Sequence, residues 1–326
     1  MDAKGDGETA ENSNDRTIGS DDFFGPWEPA PIQSLDEFLQ LIRDTFSRWS
    51  SKDVHYAWRG VQNAGWPLHS ALYRRMIWTN PHQTYETSLE RLEGKILADA
   101  NRWGLHFLDR AHLPVLYQLA MLQHFGAPTR LIDVTFNPLI ALYFAVEAKE
   151  DTPGTDTHAS DDGRLFIFDV SNRLINESNR IERQWELVSK RPWRSTVKGV
   201  KDWSTRYWAW RPAAIEARFS AQNSGFIFGG VPKTGSITWP KSTLPGDTWG
   251  IETVKRFTSV PLRLHKLEMN AGRPPHNPTM TVRVDADAKV RIREELGQWF
   301  DIEARTVFPD YPGFAERGVS GLKRGL

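Results

Sequence analysis

Apolar positions change their spacing several times along the chain, and each change predicts an element. Phe38, Leu39, Leu41, Ile42, Phe46 and Trp49 recur at helical spacing behind Ser34 and Glu37, an S-x-x-E capping box, so a helix begins there. HYAWRG, ending at Gly60, is short and aromatic and predicts a strand. Residues 84–103 and 114–125 predict helices, the second stopped by Gly126 with Pro128 just beyond. Arg130 to Val134 predicts a buried strand. Asn137 suits an N-cap and Pro138 a first helical residue, so a helix runs from Pro138 to about Lys149. RLFIFDV (164–170), Phe226–Phe228 and 259–268 predict further strands, and 151–163 and 229–250 are loops. TVRV and a helix capped by Asp285 and running to Leu296 follow. There is no internal repeat, no regular βαβ rhythm and no Gly-rich phosphate loop. The pattern predicts an α+β fold, with a mixed, mostly antiparallel sheet and flanking helices.

Composition narrows the setting. Of 326 residues, 39% are hydrophobic and 25% charged, the balance of a folded chain with a real core. Lys+Arg and Asp+Glu are 41 each, which argues against a bulk polycation acting on DNA or an anionic membrane. There is no cysteine, which excludes disulfides, thiolate nucleophiles, Cys-based zinc sites and iron–sulfur clusters, and fits a reducing cytoplasm. The longest apolar run, Leu139 to Val146, is too short to cross a bilayer, so no membrane partner is expected. Residues 1–25 are polar and acidic and lack a signal-peptide pattern; they are expected to be a disordered tail, ended by Phe23, Phe24 and Trp27, before one domain over 26–326.

Three clusters carry candidate chemistry. In Tyr56-Ala-Trp58-Arg59-Gly60, an arginine ends an aromatic strand; its fork either pairs with an internal carboxylate or grips a phosphate or carboxylate ligand. In the run from Gln123 to Pro138, seven side chains that can hydrogen-bond, Gln123, His124, Thr129, Arg130, Asp133, Thr135 and Asn137, sit between apolar helices. They either satisfy one another, as Arg130 with Asp133, or converge on a ligand. The third cluster, Arg218 to Phe226, is polar and leads into a strand.

Together these motifs resemble the FRG domain family. Trp58-Arg59-Gly60, followed by GWPLHSALYRR, is similar to its aromatic-Arg-Gly signature, and QHFGAPTRLIDVTFNPLIALYFA to its central block, with Ile132 and Val134 as departures. Arg218, Gln222 and Phe226 match a later R-x-x-x-Q-x-x-x-F segment, and Phe308-Pro309-Asp310 a closing FPD. The motif order is also similar to that of the arginine-containing ADP-ribosyltransferases. That resemblance implies an ADP-ribosyltransferase-like fold and an enzyme that uses NAD, with no metal. Arg59 would hold the diphosphate beside Trp58 and Gly60. Thr135 would stand in the second motif, and Gln222 would occupy the position of the catalytic glutamate. His124, Arg130, Asp133 and Asn137 would complete the cofactor site. Gln222 is neutral and cannot offset positive charge on the ribose, so Asp133, Glu216 or Asp310 would have to supply the carboxylate. The resemblance implies a toxin or anti-phage effector that modifies a macromolecule, with a neutralising partner protein. A nucleotide- or RNA-binding module without turnover, and a metal-free nuclease using His124 and Asp133, are the alternatives.

One segment departs from the rest. Residues 180–218 hold ten Lys and Arg against four carboxylates, with Trp185, Trp193, Trp203, Trp208 and Trp210 interleaved, inside a basic insertion at about 176–212. Either the tryptophans stack on bases of an RNA or DNA partner, or they are the core side of an amphipathic segment.

Overall fold

The computed structural model describes residues 18–318 apart from 52–53, 83, 109–110, 153–154, 176–190, 194–202, 213–216, 236 and 269–270. Seven strands form the central sheet. In chain order they are β1 (Tyr56–Val61), β2 (Ile132–Thr135), β3 (Gly163–Asp169), β4 (Leu174–Ile175), β5 (Trp208–Trp210), β6 (Ser224–Phe228) and β7 (Thr279–Val284). Across the sheet the order is β7-β3-β1-β2-β6-β5-β4. Every neighbouring pair is antiparallel except β4 with β5. The fold is therefore mixed α+β with a mostly antiparallel sheet.

Helices cover both faces. On one, α2 (Leu35–Leu41), α6 (Pro138–Val146) and α9 (Lys289–Phe300) pack against Trp58, Leu165, Ile167 and Val282. The capping box holds: the Ser34 hydroxyl accepts the Glu37 amide at 3.2 Å. Asn137 caps α6 by accepting the Leu139 amide at 2.9 Å. α6 is apolar all round because six of its nine residues are buried, while Phe144 is partly buried. It reaches the sheet through two glycines: a Cβ on Gly60 would lie 1.9 Å from the Ala141 carbonyl oxygen, and one on Gly163 2.4 Å from that of Ala145. The other face carries α1 (Ser20–Phe24) and α8 (Ile251–Phe257), with Phe23, Phe24, Val254 and Phe257 buried.

Three expectations change. The acidic tail gives way before residue 25: Ser20–Phe24 is helical, and Phe23 and Phe24 are fully buried. Burial explains this, because two phenylalanines and the pairing of Asp21 with buried Arg164 at 3.1 Å offset the ordering cost. Residues 1–17 lie outside the described residues. The strand expected over 259–268 reduces to extended chain bridged at Leu264 to Thr279; Pro261 cannot donate to a ladder. The helix expected behind an Asp285 cap starts at Lys289 and runs past Leu296 to Phe300.

The tryptophan-rich segment resolves toward the core. Trp193, Trp203, Trp208 and Trp210 are buried with α5 (Val115–His124) and Phe228. Their faces are therefore not a base-stacking surface. Trp185 and most of the basic residues of 180–218 lie outside the described residues. No helix among the described residues is long and apolar enough to cross a membrane.

Candidate functional site

The site lies where the sheet splits. β1 pairs with β3 at six registers, and β2 with β6 at four, but β1 and β2 meet at one, Trp58↔Thr135. Beyond it the backbones diverge. Arg59 spans the gap, its Nη1 donating to the Asp133 carbonyl at 2.7 Å where a ladder bond would otherwise run. On this split opens a cavity of about 320 Å³. Trp58, Phe144, Phe219, Phe226 and Phe308 give it aromatic walls. The walls hold one another: Phe219 stands edge-on to Phe226 at 5.9 Å, as does Phe144 to Phe308.

Its polar groups fall into three sets. Asp133 accepts from Gln123 Nε2 at 2.6 Å, while its other oxygen stands 3.9 Å from Arg59 Nη1. Gln123 is in turn fixed by the Thr129 hydroxyl. Burial pulls the Arg59 guanidinium below its ordinary value; Asp133 opposes this, and nearby Arg74 adds to it. The second set is Arg218 with Asp310, a bidentate pair at 2.6 and 2.7 Å. Those bonds from Arg218 hold Asp310 below the usual carboxylate range. The third set is structural. Thr135 donates to the Gln222 carbonyl at 2.6 Å and accepts from the Asn137 amide at 3.0 Å. Gln222 donates through Nε2 to the Val307 carbonyl at 3.2 Å, tying the short helix Ala304–Val307 over the cavity.

Of the residues singled out in the sequence, Trp58, Arg59, Gly60, His124, Asp133, Thr135 and Gln222 line this one cavity. Arg130 and Asn137 do not. Arg130 is buried on the other side of β2, held by Glu93 at 2.6 Å and Glu86 at 2.9 Å. It is sandwiched against Trp193 and Trp203. Its charge is met by those two glutamates and not by Asp133. Asn137 spends its side chain on the α6 cap. Gly60 earns its place by the close approach of Ala141, whatever else passes it. His124 and Asp133 share the cavity, but no hydrogen bond joins them among the described residues; His124 instead lies against Phe219 at 5.6 Å. Glu216 lies outside the described residues.

Sequence reasoning placed Gln123 and Arg218 in its polar clusters and Phe308 in the closing motif, but gave none of the three a catalytic or cofactor-binding role. Gln123 was findable from its place beside His124 in the polar run. Arg218 and Asp310 are 92 residues apart, and nothing local announces their pairing. Among the described residues, no group of three or more His, Asp or Glu side chains is arranged to hold a metal ion.

Comparison with known proteins gives one match: the model of the FRG domain fits residues 54–153. This stretch contains β1, β2, α5 and α6, and with them Arg59, Gln123, Asp133 and Thr135. Arg218, Gln222 and Phe308 lie beyond it. No curated protein and no solved structure matches the chain.

Proposed function

We infer that this chain, which carries an FRG domain at residues 54–153, binds a nucleotide in the cavity at the β1–β2 split and transfers ADP-ribose from NAD to a macromolecule. One observation carries the reading. Arg59, Thr135 and Gln222 lie 76 and 87 residues apart in the chain, in the motif order noted above, and line one cavity.

The residues fit such a ligand. About 320 Å³ is the lower end of the range for small-molecule sites and suits one nucleoside-sized part, not a whole dinucleotide. Aromatic walls suit a planar ring. Arg59 presents its guanidinium to phosphate at the cavity edge. NAD bound there would supply a ribose activated by its nicotinamide leaving group. Transfer breaks the ribose–nicotinamide bond, forms a bond to a nucleophile of the acceptor, and releases neutral nicotinamide and a proton. Positive charge grows on the ribose as the first bond breaks, and a nearby carboxylate stabilises it. Asp133 is the carboxylate on the cavity wall, with Gln123 fixing its orientation, so it takes the role that neutral Gln222 cannot. Asp310 is already neutralised by Arg218.

A second reading, nucleotide sensing without turnover, has its own support: the Thr135 hydroxyl and Gln222 amide are both committed to backbone partners.

The test uses NAD labelled on the adenylate phosphate, offered with separate pools of RNA, DNA and protein, and wild type beside Arg59→Ala. Label moved to one pool by wild type alone is the expected result and names the acceptor class. Equal transfer by a folded Arg59→Ala variant overturns the assignment. Saturable binding without transfer or nicotinamide release selects the sensing module.

A further inference from the structure

A second cavity, of about 270 Å³, backs onto the first. Arg59, Gln123 and Asp133 line both, so these three side chains form a shared wall. The two sides differ in chemistry. The first is walled by aromatic rings. The second is lined by Arg74 and Arg75 of the helix Ala71–Thr79, together with Arg59 and His69.

The second cavity is short of negative charge. Arg74 and Arg75 are exposed, and neither has a carboxylate partner among the described residues. Asp133 is the one carboxylate on its lining, set against three guanidinium groups. His69 adds no charge: it is buried, its Nε2 faces the Lys255 carbonyl at 3.0 Å, and burial brings it down to about 4. Burial lowers the proton affinity of both Arg59 and His69, and the nearby positive charge of Arg74 adds to it. Arg130, Arg164, Arg218 and Arg283, by contrast, all meet carboxylates. Three guanidinium groups on the lining of one cavity match a doubly charged anion whose oxygens accept in pairs.

We propose that this polar cavity is a diphosphate subsite, so that the ligand straddles the Arg59–Asp133 bridge with its ring and ribose on the aromatic side and its phosphates against Arg59, Arg74 and Arg75. The proposal rests on the nucleotide reading above and deepens it. It assigns the ligand class as a nucleoside diphosphate or longer, because a nucleoside alone leaves the guanidinium groups unmatched. It also accounts for the size of the aromatic cavity, which takes one part of such a molecule.

The experiment is calorimetric titration of the full chain with ADP-ribose, inorganic pyrophosphate and adenosine, for wild type, Arg74→Gln/Arg75→Gln and Arg74→Lys/Arg75→Lys. Both positions are exposed, so thermal unfolding should match wild type. The Gln pair should lose about 10- to 100-fold in affinity for ADP-ribose and pyrophosphate, the worth of a charge-assisted contact, and nothing for adenosine. The Lys pair should keep the charge and recover part of the loss. ADP-ribose bound equally by wild type and the Gln pair overturns the subsite and leaves the nucleotide reading standing. Pyrophosphate bound by wild type and lost in the Gln pair, with ADP-ribose not bound at all, keeps the anion site and removes the nucleotide reading. Binding of neither overturns both.

Discussion

Arg59 and Arg130 both project from the polar segments around the β1–β2 pair, and the fold treats them oppositely. Arg130 is 1% exposed, receives Glu93 and Glu86 at 2.6 and 2.9 Å, and is covered by two indoles. Burial alone would lower its proton affinity, but the two glutamates raise it above the ordinary value. Arg59 is 23% exposed, has one carbonyl bond, and stands 3.9 Å from its nearest carboxylate. There burial wins, and its affinity falls. A saturated cation holds the fold together; an under-saturated one in a cavity has charge that an anion could still meet. In sequence the two look alike, each an arginine beside apolar residues.

The largest effect that could break this contrast is at Glu93. Its carboxylate also accepts from Arg191 at 3.1 Å and Trp193 Nε1 at 2.9 Å. Glu93→Ala should cost about 3–5 kcal/mol in urea unfolding, because it strands a buried charge. A loss under about 1 kcal/mol would mean that Arg130 is not the anchor described.

His69 gives the next effect, through pH. Its ordinary value is 6.5, and burial, aided by Arg74 and opposed by the Lys255 carbonyl, brings it to about 4 in the fold. The unfolded chain therefore takes up the proton first as pH falls. Stability is full above 6.5 and drains between 6.5 and 4, by about 3 kcal/mol in all. His69→Gln should flatten this part of the stability–pH curve measured by denaturant unfolding.

Gly60→Ala follows, at about 1–3 kcal/mol, since the new methyl meets the Ala141 carbonyl and α6 must shift. Neighbouring Arg59→Ala should change stability least, by about 1 kcal/mol or less, while abolishing the transfer or binding tested above. If instead Arg59→Ala unfolds the protein and Gly60→Ala does not, the roles of these two neighbours are reversed.

Much of this was legible in the chain. Local signals fixed α2 and α6, because Ser34, Asn137 and Pro138 act on amides a few residues away. RLFIFDV predicted a strand, and β3 is that strand, buried along its whole length. The site was legible as a set of residues, seven of which share the cavity, but not as a geometry. Whether Arg130 would face Asp133 or Glu93 depends on where α4 (Glu86–Arg102) packs, a contact across 37 residues that no local pattern encodes. The helix Ala71–Thr79, which carries Arg74 and Arg75, was missed because its apolar face is short and follows Pro67 and a loop.

The far wall of the cavity has a bearing on timing. The sheet is complete once synthesis reaches Val284, yet Val307, Phe308 and Asp310 arrive more than twenty residues later. Chains are made from the N-terminus onward at about 5–20 residues per second, so the folded sheet precedes a closed site. A growing chain that already has Arg59, Asp133 and Gln222 in place still lacks the surface against which a ring would rest. Competence for the proposed ligand is thereby deferred until synthesis has passed Asp310.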